Sequence, residues 1–196
     1  MQLEKGLLTE DEPDKETLGH EIESKVGEFL PNSFDCIKNV GKTGRNGPND
    51  KKGIDFVIEF EDGEKIAVDV TTDEGEILKA KIKSMIRNPM VSVAGEKDEY
   101  GQPTLEKSEG LVPRTIIHVR QDEWSQYDID RENGETIIQM PDRIRVIEEK
   151  KILQQLIWQI QTMSRESIQY RKATKSILRK LDDELEQLSK LEKELT

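Results

Sequence analysis

The chain has 196 residues, 33% hydrophobic and 36% charged, with a formal net charge of −11. Its apolar content suits one core of ordinary size plus an extension, and no run of 18 apolar residues offers a membrane span. Residues 1–16 lack the basic start and apolar centre of a signal peptide. The single Cys36 excludes an internal disulfide and a cysteine-based zinc site, so a soluble, intracellular, cytoplasmic protein is expected.

Residues 1–14 are acidic, unpatterned and expected to be mobile. Acidity is concentrated at the ends: residues 1–16 and 182–196 each carry six acids against two bases, or −8 of the −11, so basic patches can stand between them. Pro13 marks a first helical turn, and Leu18, Ile22, Val26 and Phe29 or Leu30 form a stripe at helical spacing that ends at Pro31. Residues 33–40 read as a strand holding Cys36 as a small buried side chain. Residues 41–53 (GKTGRNGPNDKKG) read as a mobile loop crowded with Lys42, Arg45, Lys51 and Lys52. GKT at 41–43 is not a phosphate-binding loop, because Cys36 stands where its first glycine belongs.

A two-stranded ribbon follows. Ile54, Phe56, Ile58 and Phe60 alternate with Asp55, Val57 and Glu59; after the EDG turn, Ile66, Val68 and Val70 alternate with Ala67, Asp69 and Thr71. Asp55, Asp69 and Thr71 then share a partly apolar face. Two carboxylates meeting there repel each other and lose water, which a divalent cation would relieve; the other reading is a solvent-facing amphipathic hairpin.

Thr72 reads as the N-cap of a helix over 73–87, with Leu78, Ile82, Met85 and Ile86 inward and Lys79, Lys83 and Arg87 in a neighbouring column. Residues 94–110 read as a polar loop and Arg114–Arg120 as a strand in which His118 is structural. These elements make an α/β core over 15–140. Residues 141–196 hold no glycine and no proline after Pro141 and read as a helical extension. Leu178, Leu181, Leu185 and Leu188 repeat in a heptad rhythm that serves a helical hairpin or a coiled-coil dimer, and the interruption at 164–167 reads as a turn between two helices or a weak stretch in one long helix.

The order helix, strand, strand, strand, helix, strand over residues 15–120, with Asp55 on the second strand and Asp69 two places before Thr71 on the next, resembles the PD-(D/E)xK nuclease superfamily. The resemblance implies a restriction-endonuclease-like αβββαβ core with a mixed central sheet, here followed by long C-terminal helices. It implies that Asp55 and Asp69 are catalytic and bind Mg2+ or Mn2+, with Glu23 of the first helix and the Val70 carbonyl as further ligands. His20 is similar in placement to an early-helix histidine of cap-snatching viral endonucleases, a ligand that favours manganese. Thr71 occupies the motif's lysine position, and Ile54 replaces the proline before the first aspartate. Some members supply the lysine from the following helix; here Lys83, or Lys79, stands in that column, whereas Lys81 points elsewhere. The implied function is a metal-dependent endonuclease that hydrolyses phosphodiester bonds in DNA or RNA, with Lys42, Arg45, Lys51 and Lys52 contacting phosphates without reading bases. The alternative is a catalytically inactive protein of that fold, acting as a binding or assembly module through its C-terminal helices, for instance as a homodimer. No membrane partner is expected.

Overall fold

The computed structural model describes residues 15–44, 47–97, 103–105, 107–108, 110–132 and 135–195; the N-terminal 1–14 and Arg45 lie outside the described residues. Helix α1 (Lys15–Ser33) leads into β1 (Ile37–Lys42), β2 (Phe56–Phe60), β3 (Lys65–Thr71), helix α2 (Gly75–Arg87) and β4 (Met90–Ser92). The short strands β5 (Glu96–Lys97) and β6 (Pro103–Leu105) follow, then β7 (Leu111–His118), the one-turn α3 (Gln121–Trp124) and the hairpin β8 (Asp128–Glu132) with β9 (Glu135–Gln139). Two long helices, α4 (Asp142–Glu166) and α5 (Ile168–Glu194), close the chain.

Five strands form a mixed sheet in the order β1-β2-β3-β7-β4, in which β3 and β7 are parallel and the other neighbours antiparallel. The alternating apolar residues decide what covers it. Phe56, Ile58, Phe60, Ile66, Val68 and Val70 join Ile22, Val26 and Leu30 of α1 and Leu156 and Ile160 of α4 in the main core. Ile54, Val57, Ala67 and Val112 form a smaller cluster apart from it. Helix α1 comes close to β2 only because Gly27 has no side chain: a Cβ there would lie 2.2 Å from the Phe56 ring. Gly27→Ala is expected to cost about 1–3 kcal/mol through overpacking. An unchanged urea midpoint would show that the helix rides higher.

Several boundaries differ from the sequence reading. Helix α1 runs through Pro31 to Ser33, since a proline in the last turn removes only one donor, and Asn32 Nδ2 donates to the Glu28 carbonyl at 2.9 Å. Strand β1 starts at Ile37, after a turn closed by Ile37 N–H to the Phe34 carbonyl. Helix α2 begins at Gly75 with Glu74 at its N-cap, so Thr72 is not the cap, and Ile86 is exposed. The polar 94–110 stretch contains the β5–β6 ribbon. Nor is the preceding basic loop loosely held: buried Asn49 donates to the Ala94 carbonyl at 2.9 Å and to Glu96 Oε1 at 2.6 Å, and accepts from Ala94 N–H at 2.8 Å.

Helices α4 and α5 form a hairpin that breaks at Ser167, whose Oγ accepts from Tyr170 N–H at 3.2 Å. The heptad leucines are used within the chain: Leu181 and Leu188 are buried in the main core, and Leu178 and Leu185 pack against it. Helix α4 also finishes the sheet. Strand β4 covers β7 only at Leu111–Pro113, leaving the outer-edge peptide groups of Ile116 and His118 without a strand. Two glutamines one turn apart replace it. Gln159 donates to the Ile116 carbonyl at 2.6 Å and accepts from its N–H at 2.9 Å; Gln155 does the same at His118, both at 2.9 Å. Gln159→Leu strands a buried N–H and C=O, and a stability loss of about 2–4 kcal/mol is expected in urea unfolding. A loss under about 0.5 kcal/mol would mean that water takes over both bonds.

Among the described residues, no helix is long and apolar enough to cross a membrane.

Candidate functional site

Asp55 directly precedes β2 and faces Asp69 across the β2–β3 ladder. Phe56 pairs with Val68, and Asp55 N–H donates to the Val68 carbonyl at 2.8 Å. The two carboxylates share one face with Thr71, as the alternation requires. Asp55 Oδ2 accepts from Val70 N–H at 2.6 Å, which aims the carboxylate along the sheet end. Burial, and then the neighbouring Asp69, push the Asp55 carboxyl up to about 7. Asp69 is 5% exposed, and its burial raises its pKa despite the nearby Lys81 and Arg114. A surface hairpin would show neither effect, so the solvent-facing reading does not hold for this pair.

The lysine beside them is Lys81. Its Nζ lies 3.0 Å from Thr71 Oγ1, 3.3 Å from Asp69 Oδ1 and 3.2 Å from Asp73 Oδ2. Burial works against this ammonium, but Asp69 and Asp73 outweigh it and its pKa ends above the ordinary value. The expectation for Lys83 or Lys79 is corrected: Lys83 is exposed, and Lys79, also exposed, pairs with Glu76 at 2.8 Å. The reason is helical phase. Leu78, Lys81, Ile82 and Met85 are spaced i, i+3, i+4, i+7, so Lys81 interrupts the inward stripe, while Lys79, Lys83 and Arg87 lie on the outer side.

Arg114 is a second residue that sequence reasoning missed. Its Nη2 donates to the Gly53 carbonyl at 3.1 Å and lies 3.5 Å from Asp69 Oδ2. Gly53 has φ 64°, and a Cβ there would stand 2.8 Å from that Nη2 and 3.1 Å from Asp69 Oδ2. The glycine thus serves both the left-handed turn and the close approach. The signal for Arg114 was the opening of RTIIHVR, since a parallel neighbour of β3 places Arg114 opposite Ala67, two residues before Asp69.

On the α1 side, a cleft of about 430 Å3 is lined by His20, Glu23, Lys42, Thr43 and Asp55 among others. Glu23 contributes to raising the pKa of both Asp55 and Asp69, and its Oε2 lies 2.8 Å from His20 Nδ1. The expected basic residues separate. Lys42 borders this cleft and donates to Ser24 Oγ at 3.0 Å, Lys51 is exposed, and Lys52 donates to the Ser92 carbonyl at 2.8 Å on the β4 side. His118, opposite Thr71 on β7, makes backbone bonds to Gln155.

Among the described residues, no group of three or more His, Cys, Asp or Glu side chains is clustered tightly enough to hold a metal alone. The donor chemistry of Asp55 and Asp69 nevertheless fits a hard divalent cation. Two facing carboxylates and the adjoining Val70 peptide supply oxygens, and Mg2+ is commonly held by one or two carboxylates, with water and phosphate oxygens completing its shell. Comparison of the chain with protein-family models, with curated proteins and with solved structures returned no match.

Proposed function

We propose that the chain is a metal-dependent endonuclease that hydrolyses phosphodiester bonds in DNA or RNA, on a core of restriction-endonuclease type. The observation that carries this reading is the facing, desolvated Asp55–Asp69 pair with the Lys81 ammonium at the tip of Thr71. A lysine at position 71 would place its charge in that neighbourhood, so Lys81 makes up for the threonine from the next helix. Asp55, Asp69 and the Val70 carbonyl would hold Mg2+ or Mn2+, with Glu23 and His20 approaching from α1. When bound, the ion would neutralise the phosphate and acidify an attacking water.

The chain's own groups supply the rest. Val70 N–H orients Asp55, and Arg114, fixed to the Gly53 carbonyl, orients Asp69. Lys81 holds a positive charge where negative charge would develop on the phosphate. Lys42, at the cleft rim, offers a phosphate contact on the β1 side, and the exposed Lys51 offers a second.

A second reading has one observation in its favour: Lys81 and Arg114 already offset the Asp69 charge without an ion. On that reading the chain binds or assembles without catalysis, and Ile144, Leu191 and Leu195, exposed where α4 begins and α5 ends, would join two copies. Cleavage of plasmid DNA and of single-stranded RNA in Mg2+, Mn2+ and EDTA separates the two. The nuclease reading expects metal-dependent cleavage that falls at least about a hundredfold in Asp55→Ala; folded wild type without cleavage in either metal favours the second.

A further inference from the structure

The cleft on the opposite side of the carboxylates has a different chemistry. It measures about 480 Å3, is mostly apolar, and lies between the end of β7 and helix α4, with Trp158 on its wall. That indole is 60% exposed, whereas the only other tryptophan, Trp124, is fully buried. The cations at the rim are already neutralised. Arg120 pairs with Asp122 at 2.7 Å and Glu123 at 3.3 Å, and Lys151 with Glu123 at 3.1 Å and Glu148 at 2.7 Å. A phosphate therefore finds no spare charge here, but a flat uncharged ring finds an aromatic face. His118, on the cleft wall, is held by the Gln155 amide through its backbone N–H and carbonyl.

The position of the cleft points to its occupant. His118 is the register partner of Thr71, whose Oγ1 contacts Lys81, so the strand that ends at the cleft runs beside the carboxylate-bearing strand β3. Lys42 and the α1 cleft lie on the far side of the carboxylates, and the strand order β1-β2-β3-β7 sets the three in a row across one sheet end. We propose that Trp158 is a stacking platform for an unpaired nucleobase of the substrate strand, so that the preferred substrate is single-stranded nucleic acid or a locally opened duplex. This rests on the phosphodiesterase reading and deepens it. A base within a duplex has both faces covered by its neighbours, whereas an unpaired base offers a free π-face to Trp158.

The test uses the full chain with Ca2+ in place of Mg2+ or Mn2+, and unlabelled 12-residue DNA and RNA single strands beside the blunt duplex of the same sequence. Both tryptophans emit, but Trp124 is buried, so quenching by a bound strand reports Trp158. Single strands are expected to quench it and the duplex to leave it nearly unchanged. Trp158→Ala should weaken single-strand binding about tenfold, and Trp158→Phe, which keeps a ring, only about threefold. Single strands that bind without quenching, or a Trp158→Ala variant that binds them as tightly as wild type, overturn the proposal. Failure of the nuclease reading looks different: quenching would persist while wild type cleaves nothing in Mn2+. If the stacking site alone fails, Asp69-dependent cleavage continues without quenching. The DNA and RNA arms decide which sugar the strand carries.

Discussion

Lys81→Ala is expected to lower the single-turnover cleavage rate in Mn2+ by about two to three orders of magnitude, while Lys79→Ala and Lys83→Ala stay within about threefold of wild type. The difference follows from location alone, since the three residues share one helix and one chemistry. Lys81 Nζ lies within 3.3 Å of Asp69 and 3.0 Å of Thr71, half sheltered from water, where a charge acts more strongly than at the surface. Lys79 is spent on an exposed contact with Glu76. Arg114 remains beside Asp69 in the variant, so the carboxylate keeps one cationic neighbour and the fold should survive. A rate unaffected by Lys81→Ala, or one lost in Lys83→Ala instead, would mean that α2 presents another face to the substrate.

Asp55→Asn is expected to stabilise the metal-free protein above neutrality and to abolish its response to metal. Burial and Asp69 raise the Asp55 pKa from 3.8 to about 7. The folded state therefore holds a proton that the unfolded chain has released between these values, and stability falls as pH rises through that window. In EDTA the variant should nearly match wild type near pH 4 and melt about 8–16 °C higher at pH 8, the shift that about 4 kcal/mol produces in a chain of this size. The Asn Oδ1 can still accept from Val70 N–H, so the comparison isolates the charge. Mg2+ or Mn2+ should then raise the wild-type melting temperature with little effect on the variant. A gap between the two proteins that does not change with pH would contradict a desolvated carboxylate pair.

The ribbon was the most legible part of the chain, because period-two alternation decides the face of each side chain and the short EDG turn makes the two strands antiparallel. Asp55 and Asp69 therefore met where the pattern put them. The parallel pairing of β3 with β7 is likewise what a crossover through α2 provides. Lys81 was hidden by its own burial. A charged residue within an apolar stripe reads as an exception, and the tidy column of Lys79, Lys83 and Arg87 drew the assignment outward. Arg114 depended on how β7 registers with β3, which no local pattern encodes. The glutamines on α4 were invisible for the same reason, since Gln155 and Gln159 gain meaning only where β4 ends. The loop 41–53 read as mobile, although the Asn49 side chain pins it to the segment before β5.

The most direct test is calorimetric titration of Mn2+ into wild type and Asp69→Ala, with cleavage of plasmid DNA and single-stranded RNA followed on the same samples. A metal centre at Asp55 and Asp69 requires that wild type bind the ion and cleave, and that both properties disappear together in the variant. Wild type that takes up no Mn2+, or cleavage undiminished in Asp69→Ala, would contradict it.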